Sequence, residues 1–187
     1  EDPLLLCTTT RDNLLLVDLP SGICRWMVQG PGGKVIKRNG YTIAGPNLEG
    51  DIIILDCTPD VIWSDRAHLF AASAGSVFVA DGSAITSYSL SGGIYQGNII
   101  LDGRVCVLEY DPCTGNVIAG TQAGTISVLD QYLNLQAMYT TGIQDTLTIL
   151  RSFRSRKDLR FIAASRTNMA CIAPGGMLWK TAMTDGI

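Results

Sequence analysis

The residues able to do chemistry in this 187-residue chain are few and dispersed. The one histidine, His68, is the only imidazole available as a general base. It sits between Ala67 and Leu69 at the start of an apolar run, with no Gly-x-Ser-x-Gly motif and no activated-cysteine context. The six cysteines (Cys7, Cys24, Cys57, Cys106, Cys113, Cys171) include no Cys-x-x-Cys pair, and one histidine with scattered thiols does not supply the roughly four ligands of a zinc site. Asp51, Asp56 and Asp60 lack the glycine pattern of a calcium loop. Gly30-Pro-Gly-Gly33-Lys34 has the glycines of a phosphate loop without its GK[ST] ending or following helix. No catalytic, cofactor-binding or metal-ligating residue is assigned, and the expectation is a non-enzymatic protein without a cofactor.

One charge feature rises above background. Arg151, Arg154, Arg156, Lys157 and Arg160 put five of the fourteen basic residues within ten positions, on a segment that reads as a surface connection. Such a cluster is either a solvated hairpin tip or a docking patch for an acidic protein partner, a phosphoinositide or nucleic acid. Without interleaved aromatics for base stacking, nucleic acid fits least.

Composition narrows the class. The chain is 47% hydrophobic and 17% charged, which excludes disorder over its whole length. A net charge of -3 is too small to imply a strongly charged partner. No apolar run reaches the ~18–20 residues of a membrane-crossing helix. The cysteines lie mostly in apolar runs, where a reduced thiol behaves as a small hydrophobe, and there is no Asn-x-Ser/Thr sequon, so the cytosol is the favoured compartment. The Glu-Asp-Pro start reads as that of a processed or excised chain, so a missing targeting signal says nothing about compartment.

The elements that must position these residues are short strands. Five related hairpins recur, at Leu5–Asp18, Thr42–Asp56, Val77–Leu90, Val117–Asp130 and Phe161–Pro174. Each is an apolar strand ending in small residues, a polar turn, then a second apolar strand. Ahead of them the expected strands are Lys34–Arg38, His68–Ala72, Arg104–Tyr110 and Thr146–Phe153. Behind them come Ile23–Val28, Val61–Ser64, Ile94–Ile100, Leu135–Thr140 and Met177–Met183. Four short strands per repeat of ~40 residues is the count for one propeller blade. A β-sandwich also has many short strands, but it does not repeat one hairpin five times. The expected fold is all-β, one propeller or propeller segment with units at about 1–33, 34–66, 67–101, 102–143 and 144–187. Gly30–Gly40 and Arg151–Arg160 fit the repeat worst and are expected to be surface connections. The first unit has no leading strand, so either that blade is short-edged or, the reading preferred here, the ring is completed by other chain segments or another subunit.

Asp18-x-x-Ser-Gly22-x-x-x-Trp26 resembles the tryptophan-docking motif of quinoprotein-like β-propellers, Ala-x-Asp-x-x-Thr-Gly-x-x-x-Trp. Unit two keeps Asp56 and Trp63 with one residue fewer between them. Unit five keeps Gly175-Gly176 and Trp179 but has Pro174 where aspartate is expected. Units three and four have Gln96 and Met138 near the tryptophan position. More loosely the repeat is similar to WD40 propellers, without their Gly-His and Trp-Asp pairs. The resemblance implies that Asp18, Gly22, Trp26, Asp56, Trp63 and Trp179 join blades, aspartate and glycine shaping a turn and tryptophan covering the gap between sheets. For the enzymes of that family it also implies acidic residues converging on the ring axis to hold a quinone and calcium. The acidic residues here are mostly single, as at Asp18, Asp56, Asp81 and Asp130, and are read as turn stabilisers.

These readings lead to a non-catalytic scaffold or protein-interaction module within a larger assembly, its partners being other subunits or further segments of the same chain. The alternatives are a segment of a quinoprotein-like enzyme or sensor whose active residues lie elsewhere, and a small-ligand-binding propeller.

Overall fold

The computed structural model describes residues 4–8, 13–18, 20–29, 34–46, 50–55, 61–155 and 158–183, and among them every regular element is a strand. The first sheet has three strands, β1 (Leu4–Thr8), β2 (Asn13–Asp18) and β3 (Cys24–Gln29). The second contains β4 (Lys34–Arg38), β5 (Tyr41–Gly45), β6 (Asp51–Leu55) and β7 (Val61–Arg66). The third contains β8 (Leu69–Ala72), β9 (Ser76–Asp81), β10 (Ala84–Ser89) and β11 (Tyr95–Ile100). The fourth contains β12 (Val105–Asp111), β13 (Asn116–Thr121), β14 (Thr125–Leu129) and β15 (Leu135–Thr140). The fifth contains β16 (Ile149–Ser155), β17 (Asp158–Ala164), β18 (Asn168–Ala173) and β19 (Gly176–Ala182). Each sheet is an antiparallel meander in chain order.

The hydrophobic core is divided into four layers, each filling the gap between successive sheets. Ile43, Ile52 and Ile54 of the second sheet meet Phe70, Ala72, Val77 and Val79 of the third. Ala71, Phe78, Ala80 and Ile85 of the third meet Leu108, Val117, Ala119 and Leu129 of the fourth. Ile118, Ile126 and Val128 of the fourth meet Leu150, Phe161, Ala163 and Ile172 of the fifth. Neighbouring residues of one strand therefore serve different layers, Phe70 one and Ala71 the next, because successive side chains point to opposite faces. A sheet covered on both faces needs no polar alternation, and this is why Ile52-Ile-Ile-Leu55 and Val77-Phe-Val-Ala80 are continuously apolar. First strands adjoin first strands, β4 with β8, β8 with β12 and β12 with β16, and so line a common axis.

One register irregularity recurs in every sheet. The pairing of the last two strands slips one residue after Leu16–Trp26, Ile54–Trp63, Ser87–Gly97, Val128–Ala137 and Cys171–Trp179. The positions matching the tryptophans in the third and fourth sheets are thus Gly97 and Ala137. Gln96 is the residue skipped by the slip, and its side chain accepts from the Ser76 and Ser87 hydroxyls on the same face as Gly97, whereas Met138, paired with Ser127, points to the other face.

The two stretches that fit the repeat worst contain paired strand, in line with the strands also expected at Lys34–Arg38 and Thr146–Phe153 and against their reading as surface connections throughout. Arg151–Ser155 belongs to β16 and Asp158–Arg160 to β17, so the described part of the basic stretch is paired strand. Lys34–Arg38 is the paired strand β4, with only Asn39–Gly40 forming a turn, while 30–33 lie outside the described residues. In the first, Leu150 and Phe161 pack into the layer towards the fourth sheet; in the second, Val35 and Ile36 pack on opposite faces, into the layers towards the first and third sheets.

Candidate functional site

The connections into the first strands gather at one end of the axis. Residues 67–68, 101–104 and 141–148 enter β8, β12 and β16, and the β13–β14 turn comes up beside them. Each connection is tied to the preceding sheet: Ala67 N–H donates to the Gly50 carbonyl, Val105 N–H to that of Gly82, and Thr141 N–H to that of Gly124. They enclose a cleft of about 490 Å³ lined by His68, Arg104, Cys106, Gln122, Thr146 and Thr148.

His68 is half-buried there, its Nε2 2.8 Å from the Val105 carbonyl. A carbonyl only accepts, so Nε2 carries the proton and Nδ1 is left 4.0 Å from the Asp81 carboxylate. Cys106 Sγ donates to the Arg104 carbonyl at 3.5 Å, and burial pushes its thiol pKa up against the opposing pull of the Arg104 charge. A thiol held protonated is not the thiolate that nucleophilic attack requires. Deeper on the axis, Lys34 donates to the Phe70 carbonyl at 3.0 Å and lies 5.4 Å from the Phe70 ring centroid. Burial lowers its pKa; Glu109 acts against that shift and Arg151 adds to it. Among the described residues, no cluster of His, Cys, Asp and Glu is arranged to hold a metal ion. Cys24, Cys106, Cys113 and Cys171 are not disulfide-bonded.

A tightly knit polar group closes the fourth sheet at this end. Thr141 is fully buried; its hydroxyl donates to the Gly124 carbonyl at 2.7 Å and accepts from Ile143 N–H at 3.1 Å. Thr125 donates to Asp102, which leaves the buried Thr121 hydroxyl as the donor of the 2.7 Å Thr121–Thr125 bond. Its signal in the sequence is slight: Thr121 and Thr125 flank Gly124, and Thr141 lies seventeen residues on.

The residues read as blade joints are unevenly described. Asp18 and Trp26 lie in β2 and β3 with side chains outside the description, Asp56 lies outside the described residues, and Gly22 is exposed at φ 69°. Trp63 reaches from β7 to the third sheet, its ring 4.6 Å from that of Tyr88. It lies over Gly93 so closely that a Cβ at Gly93 would enter the indole. Two residues on, Asp65 accepts a 2.6 Å bond from the Tyr88 hydroxyl, and Tyr95 packs edge-on against Tyr88. Between the third and fourth sheets the gap is filled from the other side. Gly97 has no side chain, and Leu133, in the left-handed conformation at φ 65°, buries its own in the layer. Trp179, in β19, is 44% exposed.

Tyr88 carries a pH signature of its joint. Its pKa is pushed up to about 12, by burial first, then by the hydrogen bond and charge of Asp65, with Tyr95 adding. The folded value lies above the ordinary 10.0, so the stabilisation is complete below pH 10 and is lost as pH rises through 12. Tyr88→Phe is expected to remove a tyrosine ionising near pH 12 from the phenolate absorbance titration, and Asp65→Asn to return that tyrosine towards 10. A Tyr88 that titrates normally in the intact protein would mean the bond between sheets is not made.

The basic cluster is not assembled on one face. Register puts Arg151 and Arg160 on one face of the fifth sheet and Arg154 on the other. Arg151 is ion-paired with Glu109, and Arg154 Nη2 lies 3.5 Å from the Cys113 carbonyl of the β12–β13 turn. Arg156 and Lys157 lie outside the described residues. That β12–β13 turn is itself an Asp-x-x-Thr-Gly turn: Asp111 accepts from Cys113 N–H and from the Thr114 hydroxyl, both at 2.9 Å. Asp130 does the same in the β14–β15 turn, accepting from Tyr132 N–H, Asn134 N–H and the Asn134 side chain. Desolvation, the largest single influence, raises its pKa, and the hydrogen bonds from Asn134 and Tyr132 together outweigh it, holding the carboxyl below its usual range.

No protein-family model matches the chain, and no curated protein does. Solved structures do. BamB from Moraxella catarrhalis is similar with a TM-score of 0.64 and 15% identity, over 87% of this chain and 51% of that one. Sqt1 from Saccharomyces cerevisiae is similar with a TM-score of 0.69 and 10% identity, over 87% and 52%. A chain of the mitotic checkpoint complex is similar with a TM-score of 0.72 and 10% identity, over 96% and 63%. The chain spans about half to just under two thirds of the length of these neighbours. With its five sheets, it has the β-propeller fold.

Proposed function

We propose that the protein is a non-catalytic propeller scaffold that offers its rim to protein partners within a larger assembly. The observation that carries this reading is the outermost strand of each sheet. β11, β15 and β19 each leave one edge unpaired among the described residues, and they expose Ile100 (72%), Tyr95, Leu135, Met138, Met177 and Leu178. Unpaired edges with large apolar side chains are suited to strand addition or side-chain capture by another protein. One neighbour of the same fold is part of a protein complex, the mitotic checkpoint complex, which supports the reading by analogy of shape. The basic residues Arg154, Arg156 and Lys157 are proposed as a secondary contact for the acidic part of such a partner.

Crosslinking of the native sample with identification of the joined peptides tests this. Crosslinks should concentrate on β11 and β15. Ile100→Asp with Met138→Asp should weaken capture of the crosslinked partner by at least about tenfold while the melting temperature stays nearly constant. Replacing Arg154, Arg156 and Lys157 by Ser should weaken it less. A monodisperse monomer without associated protein would overturn the scaffold reading.

A second reading, a small-ligand-binding propeller, draws on the cleft at the end of the axis. About 490 Å³ lies within the size of ligand pockets, and His68, Arg104, Gln122 and Thr148 supply convergent polar groups. Thermal-shift screening with metabolites tests it; a flat response across anionic and sugar ligands would exclude it.

A further inference from the structure

We infer that the outer face of the fifth sheet is a docking face for a further propeller blade, one whose turn into its outermost strand carries glycine in the left-handed conformation. This goes beyond the rim contacts above, since it concerns a sheet face and not a strand edge.

The inference follows from register. Across the second sheet runs the row Ile36–Ile43–Ile54–Trp63, each residue paired with the next. Ile43 and Ile54 are fully buried, and Trp63 is seated on Gly93 and Tyr88 of the following sheet. The same row in the fifth sheet is Arg151–Ile162–Cys171–Trp179, with the same slip after the tryptophan pair. No sheet covers it among the described residues. Trp179 is 44% exposed and Phe153, on the same face, 40%. Arg160, paired opposite Phe153, keeps a buried Nε–H without a hydrogen-bond acceptor. The face thus has the tryptophan half of a joint and lacks the glycine half.

The glycine half exists at the opposite end of the arc. Gly22 occupies in the first sheet the place of Gly93 in the third, two residues before the strand pairing resumes, at φ 69° against 63°. A Cβ at Gly22 would have no atom within 4 Å, whereas at Gly93 it would meet the Trp63 ring. The two halves do not meet each other. Closed propellers have typically four to eight blades, so two copies of a five-bladed arc exceed the usual ring, and one to three further blades complete it. The solved propellers that superpose on this chain are longer than it by a comparable margin. The occupant is therefore a short run of blades presenting a glycine turn to Trp179 at one end and a tryptophan to Gly22 at the other.

The test supplies a blade of known joint chemistry. A second copy of residues 67–101, which contains the Gly93 turn, is appended to the full chain. Acrylamide quenching of Trp179 is then read as the difference between the parent and Trp179→Phe. The added blade should reduce quenching of Trp179 several-fold, and Gly93→Trp within the added copy should restore it. Unchanged quenching with the intact blade overturns the inference. Sedimentation of the unextended chain over a concentration series separates the other occupants. A monomer with accessible Trp179 is expected. Association abolished by Trp179→Arg would assign the face to a second copy, and a monomer with protected Trp179 would assign it to the chain's own first sheet; either overturns the proposal. Rim variants leave this face untouched, so failure here and failure of the scaffold reading are distinguishable.

Discussion

Trp63→Ala is expected to lower the unfolding free energy by roughly 3 kcal/mol, the low end of the range for large aromatic truncations because the indole is half-buried. The loss has two parts. The ring's packing on Tyr88 and over Gly93 disappears, and the layer between the second and third sheets opens to water along Tyr88 and Leu90. The Asp65–Tyr88 bond becomes solvent-exposed and weakens with it. Gly93→Ala attacks the same joint from the other side: its Cβ enters the indole, and φ 63° adds the strain of a left-handed non-glycine residue, about 1–2 kcal/mol. In the double variant the overlap is relieved, so the two losses should not add. Chemical denaturation of the two single variants and the double variant measures this; strictly additive losses would mean that Trp63 and Gly93 do not touch.

Gly124→Ala is expected to be comparably damaging for a different reason. Gly124 turns between β13 and β14 at φ 75°, and a Cβ there would run into the Ile143 carbonyl and approach Thr141 Oγ1 at 3.2 Å. The turn cannot retreat, because Gly124 N–H is bonded to Thr121 and its carbonyl receives both the N–H and the hydroxyl of Thr141. Displacing it leaves buried donors and acceptors unpaired, at about 1–3 kcal/mol each. Hydrogen exchange should show the connection at 141–148 opening selectively, with β8–β11 still protected. Thr141→Val, which keeps the shape and deletes the hydroxyl, should reproduce part of that opening. A Gly124→Ala protein with native exchange at 141–148 would refute the role given to this turn.

Much of the architecture is legible in the residues, because each strand is bounded by small or polar turn residues and the hairpin recurs. Lys34–Arg38 and Leu135–Thr140 are strands in the expected places, and the segment around Tyr132–Tyr139, which also fits one helical turn, is strand because the repeat phase prevails. Charge misled at Arg151–Arg160. A run of cations looks like a connection, yet Leu150, Leu159 and Phe161 alternate beneath it and hold β16 and β17 together. The tryptophan position falls at Gly97 in the third sheet and Ala137 in the fourth, next to Gln96 and Met138, and the slip in pairing that sets it leaves no mark in local spacing. Asp111-x-x-Thr114-Gly115 has the residue pattern of the Asp18 motif at a different turn, and no tryptophan follows it to mark it in the sequence. The cleft at the axis was out of reach. His68, Arg104 and Thr148 lie some forty residues apart, and only the curvature of the arc brings them together.

The repeated slip in pairing has a consequence for how such a chain can diversify. In every sheet the joint position is the residue immediately after the one skipped in the pairing of the outermost strand, at 26, 63, 97, 137 and 179, although the preceding turns differ in length by up to two residues. The outer strand, not the turn, sets the reference mark. Residues can be inserted into or deleted from these turns without shifting what faces the adjoining sheet. The rim is thus a set of interchangeable ports, where new recognition loops can be grafted while the joints beneath keep their alignment.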